Sequence, residues 1–72
     1  MNEEAHNREN KFGVAVMDKI KIRQGDNWSK WSTVQWSKGR GLYIQFMFSP
    51  TIYLKDADEV EFIEKFGVDD RL

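Results

Sequence analysis

Between Gly41 and Ser49 every second residue is a large apolar side chain: Leu42, Ile44, Phe46 and Phe48. Tyr43, Gln45 and Met47 fall between them. Successive side chains of a strand point to opposite faces, so this period of two gives one fully apolar face and one mixed face. The run follows Ser37-Lys38-Gly39-Arg40-Gly41, where glycines can take positive φ without strain, and a segment that carries all three tryptophans precedes it. Residues 27–49 therefore read as two strands joined by a hairpin, and the rest of the chain has to cover the apolar side of that sheet.

Two further strands are predicted upstream. Phe12, Val14 and Val16 alternate with the small Gly13 and Ala15, and Asp18 then marks a turn or a bulge. In Lys19-Ile20-Lys21-Ile22-Arg23 the isoleucines point inward and the three cations point outward as a row. Such a row can blunt a sheet edge, and it can also form a binding surface. Residues 24–27 form a turn cluster. Beyond it, Trp28, Val34 and Trp36 occupy even positions, whereas Trp31, Thr33 and Gln35 occupy odd ones. Strict alternation cannot bring all three tryptophans to one face. Either Trp31 lies on the opposite, wetter face, or a bulge near Ser29 and Lys30 re-aims it.

Pro50 ends the long strand, and residues 51–54 give a short strand with Ile52 and Leu54 inward. The remaining segment has the pattern of a helix. Asp56 and Glu59 stand at capping-box spacing; Val60, Phe62, Ile63 and Phe66 form an apolar stripe; Glu61 and Lys65 pair at i, i+4; and Gly67 is the stop. The predicted class is α+β, a small antiparallel sheet of four to five strands with one C-terminal helix packed on one face. The expected core is Val14, Val16, Ile20, Ile22, Val34, Trp36, Leu42, Ile44, Phe46, Ile52, Leu54, Val60, Ile63 and Phe66. Residues 1–10 are polar and aperiodic and read as a disordered tail; residues 11–72 read as a single domain.

A chain of 72 residues buries little surface, and without cysteine no disulfide supports it. A dense aromatic core, from five Phe, three Trp and two Tyr, is one route to stability, and homodimerisation is the other. No apolar run approaches the roughly 18 residues of a membrane span, and the first ten residues do not resemble a secretion signal, so the expected location is cytoplasmic. The net charge of −1 is unevenly spread: residues 11–48 carry +5 and residues 49–72 carry −4.

No catalytic motif is present. The one histidine, His6, lies in the polar tail, so neither a serine triad nor a histidine-based metal site can be assembled, and no cofactor is expected. The chain reads as a non-enzymatic binding module. Its expected contact surface is Lys19, Lys21, Arg23, Trp31, Lys38, Arg40 and Tyr43, a mixture of cations that track phosphates and rings that stack on bases. That combination suits single-stranded nucleic acid. The alternative is a regulator or inhibitor of the phage or mobile-element type that binds a host protein through the same face, an edge strand or the acidic helix.

Overall fold

The computed structural model describes residues 8–66. Seven antiparallel strands form two small sheets among these residues. In the first sheet, β1 (Lys19–Gln24) is central. One of its edges pairs with β2 (Asn27–Trp28) and then β3 (Ser32–Thr33), and the other pairs with β7 (Glu59–Glu64). The second sheet has the order β4 (Gln35–Ser37), β5 (Gly41–Ile44), β6 (Ile52–Tyr53). A single 3-10 turn, Leu54–Asp56, links β6 to β7.

Val34 is the corner at which the chain leaves one sheet for the other. Its N–H donates to the Asp18 carbonyl at 2.8 Å, and its carbonyl accepts from the Met17 N–H at 2.9 Å. The residue is buried together with Val14, Ile20, Ile22 and Ile44, each at most 1% exposed. Leu42, Leu54 and Ala57 complete this core, and Val16, Trp36, Phe46, Ile52, Val60 and Phe62 pack around it. Each fully buried aliphatic side chain contributes about 1.5–3 kcal/mol.

The predicted C-terminal helix is absent, and the class is corrected to small antiparallel sheets with no α-helix among the described residues. Residues 59–64 form β7, with Val60 opposite Ile22 and Phe62 opposite Ile20. The physical reason is the free edge of β1. Glu59-Val60-Glu61-Phe62 alternates as well as any strand in the chain, and as a strand it covers both isoleucines while pairing their backbone groups. The helical stripe would have buried Ile63 and Phe66, yet these are 52% and 60% exposed. The expected stop at Gly67 lies outside the described residues. Residues 12–17 are not a strand either; they fold as two turns, with Met17 at φ 76°. The long strand is shorter than its apolar pattern: it ends at Ile44, and Met47 and Phe48 are 87% and 93% exposed.

Arg8 and Asn10, which fall in the predicted polar tail, are tied to the domain. The Arg8 guanidinium donates to both Asp18 carboxylate oxygens at 2.7 and 2.8 Å, to the Gly13 carbonyl at 3.0 Å and to the Phe66 carbonyl at 2.9 Å. Asp18 also accepts from the Ala15 and Phe66 N–H groups. Burial disfavours the Asp18 carboxylate. The hydrogen bonds from Arg8 and the two backbone donors, with the charge of Arg8, outweigh that cost and hold its pKa below the ordinary value. Residues 1–7 and 67–72, including His6, lie outside the described residues.

Candidate binding faces

The seven predicted contact residues divide between the two sheets. Lys19, Lys21, Arg23 and Trp31 lie on the outer side of the first sheet; Lys38, Arg40 and Tyr43 belong to the second.

On the first sheet the row of cations is present but it is answered by carboxylates. In register, Arg23 faces Glu59, Lys21 faces Glu61 and Lys19 faces Glu64. Arg23 Nε lies 3.0 Å from Glu59 and Lys21 Nζ lies 3.4 Å from Glu61. Pairs this exposed add only about 0–1 kcal/mol each to stability, but they place negative charge beside Lys21 and Arg23, two of the three cations of the row.

The tryptophans on this sheet are gathered by a bulge. Arg23 pairs with Trp28 and Ile20 pairs with Ser32, so one residue is inserted between the two pairings. Without it, Trp31 would stand opposite Ile20 and point into the core. With it, Trp31 stands opposite Lys21 and points outward beside Trp28. Ser29 fastens the irregularity: its Oγ accepts the Ile22 N–H at 2.9 Å, and its own N–H donates to the Ile22 carbonyl at 2.8 Å. The Lys21 ammonium sits 4.9 Å from the Trp28 ring centroid and 5.0 Å from that of Trp31, within cation–π range of both.

The second sheet carries a different surface. Gln35, Tyr43 and Tyr53 stand side by side across β4, β5 and β6. The two tyrosine rings are 6.0 Å apart and tilted by 56°, and the Tyr43 hydroxyl donates a long 3.4 Å bond to Gln35 Oε1. Arg40 donates to the Tyr53 hydroxyl at 3.4 Å, and Lys55 Nζ lies 5.8 Å from the Tyr53 ring centroid. Lys38 is exposed at the tip of the β4–β5 hairpin, where Gly39 and Gly41 take φ of 86° and 80°. Among the described residues, Lys38, Arg40 and Lys55 enter no ion pair.

Tyr53 and Lys55 also stand on this surface, although the sequence pattern does not single them out. The signal was available: inward Ile52 and Leu54 force Tyr53 outward, but a two-residue strand beside a proline carries little weight as a surface. The pairing of Glu59 and Glu61 with the cations is not visible in the sequence, because a helix would place these carboxylates elsewhere.

Beside β2 lies a shallow groove of about 510 Å3, lined in part by Trp28, Lys30, Phe46, Pro50 and Ile52. No described helix is long and apolar enough to cross a membrane. Comparison with protein families, curated proteins and solved structures finds no match to this chain.

Proposed function

We propose that the protein is a non-enzymatic module that binds single-stranded nucleic acid on the outer face of its second sheet. The observation that carries this reading is the Tyr43–Tyr53 pair, flanked by Arg40 and Lys55 that have no carboxylate partner among the described residues. Rings on a sheet offer bases a stacking platform worth about 1–3 kcal/mol per base, and neighbouring cations hold the phosphates. The overall negative charge does not oppose this, because β7 concentrates its carboxylates on the first sheet. Compared with the sequence-based surface, the interface therefore moves to Lys38, Arg40, Tyr43, Tyr53 and Lys55, and Lys19, Lys21, Arg23 and Trp31 drop out of it.

The test is stacking without charge. Tyr43→Ala is expected to weaken binding of a short labelled oligonucleotide at least fivefold, and Tyr43→Phe to keep most of the affinity. Equal affinity of wild type and Tyr43→Ala would remove the stacking platform from the account.

One observation favours a protein partner instead. Met47 and Phe48 are almost fully exposed next to the Trp28–Pro50 groove, and such an apolar projection is suited to a protein interface. In that reading Phe48→Ser abolishes capture of the partner and leaves oligonucleotide affinity unchanged.

A further inference from the structure

Where the N-terminal turn meets the hairpin end of the second sheet, a cleft of about 310 Å3 opens. Leu42 and Leu54 line it, as do the aromatic rings of Phe12 and Trp36. Lys11, Arg40 and Lys55 also border it, and no Asp or Glu is among its described lining residues. Lys11 Nζ lies 5.3 Å from the Phe12 ring centroid, so a cation and a ring already share this space. The volume is at the lower end of the roughly 300–1,000 Å3 range of small-molecule sites. The lining is apolar and aromatic, and the charge beside it is of one sign. A ligand that fits both is planar, aromatic and anionic.

We propose that this cleft binds one phosphorylated nucleotide, the base lying against Phe12 and Trp36 and the phosphate held by Lys11, Arg40 and Lys55. Rings supply a stacking surface for any base, and convergent lysine and arginine donors are the common means of holding phosphate. The same chemistry has two sources. One is a free nucleoside monophosphate. The other is the phosphorylated end of a strand lying on the tyrosine face, and that version rests on the function proposed above. Arg40 and Lys55 make it geometrically continuous, because both border the cleft and both contact Tyr53.

The experiment titrates the full chain at low salt with each of the four ribonucleoside 5′-monophosphates, the matching nucleosides and inorganic phosphate. Calorimetry gives affinities, and the Trp36 indole N–H resonance, assigned with Trp36→Phe, reports the site. At least one monophosphate should bind tenfold or more tightly than its nucleoside and than phosphate, and should shift the Trp36 resonance. Lys55→Glu, at an exposed position on the 3-10 turn, should weaken that binding at least tenfold. Monophosphates no tighter than phosphate, an unmoved Trp36 resonance at millimolar ligand, or an unaffected Lys55→Glu variant would each overturn the proposal.

A second arm compares one oligonucleotide with and without a 5′-phosphate. Preference for the phosphorylated form assigns the cleft to a strand end, and equal affinity alongside monophosphate binding assigns it to the free nucleotide. Oligonucleotide binding with no monophosphate binding overturns the cleft and leaves the sheet-face reading standing. Monophosphate binding with no oligonucleotide binding supports the cleft and removes the sheet-face reading.

Discussion

Trp31 stands opposite Lys21, not opposite Ile20, because a single residue is inserted between the Arg23–Trp28 and Ile20–Ser32 pairings. That insertion turns a large ring from the core to the surface. Ser29 holds it in place by receiving the Ile22 N–H on its hydroxyl. Ser29→Ala leaves that donor without its partner and should cost about 1–3 kcal/mol in urea unfolding, with a loss of hydrogen-exchange protection at Ile22. An unchanged midpoint and unchanged protection would mean that the bulge does not depend on Ser29.

The Arg8–Asp18 pair closes the domain by joining the N-terminal segment, the start of β1 and the chain just beyond β7. Asp18 is fully buried, so Arg8→Ala strands a carboxylate in the interior, a change that costs roughly 3 kcal/mol. Thermal unfolding checks it. Arg8→Ala at wild-type stability would remove the latch.

The same pair sets an acid limit. The folded pKa of Asp18 is lowered, so its contribution is complete above the unfolded value of about 3.9 and is lost as pH falls through the folded value. Stability should therefore decline steeply below about pH 4. Asp18→Asn, though less stable at neutral pH, should show a shallower decline over that window. Parallel acid curves for the two proteins would contradict the assignment.

Met17 is the one described residue other than glycine with positive φ, at 76°. A side chain there carries a cost of about 1–2 kcal/mol, partly offset by the entropy a glycine would lose. Met17→Gly should raise stability by about 0.5–1 kcal/mol. A drop in melting temperature would show that the half-exposed Met17 side chain packs more tightly than its surroundings indicate.

Parts of both sheets were legible in the sequence. The strand around Ile20 and Ile22, the Gly39–Gly41 hairpin and the two outcomes for Trp31 all follow from a period of two broken at a known place. The C-terminal segment was not. Val60, Phe62, Ile63 and Phe66 fit a helical stripe, while Glu59-Val60-Glu61-Phe62 fits a strand, and only the unpaired edge of β1, a tertiary fact, decides between them. The choice between helix and strand also decides the charge of the first sheet: a helix would have left Lys21 and Arg23 free, whereas β7 sets Glu61 and Glu59 against them. The turns at residues 12–17 were obscured for a related reason. Val14 is buried as its pattern requires, but Asp18 draws the Ala15 N–H and the Arg8 guanidinium to itself, so the segment closes on its own polar groups and does not join a ladder.

The most direct test of the proposed interface is the salt dependence of oligonucleotide binding. Removing a cation that neutralises a phosphate means that fewer counterions are released, which makes log K fall less steeply with log salt. Fluorescence anisotropy with a labelled single strand would compare wild type, Arg40→Ala with Lys55→Ala, and Lys21→Ala with Arg23→Ala. The prediction is a shallower slope, by about 0.7 for each cation removed, in the second-sheet double variant and an unchanged slope in the first-sheet one. No binding by wild type at low salt, or a shallower slope only in the Lys21→Ala, Arg23→Ala protein, would contradict it.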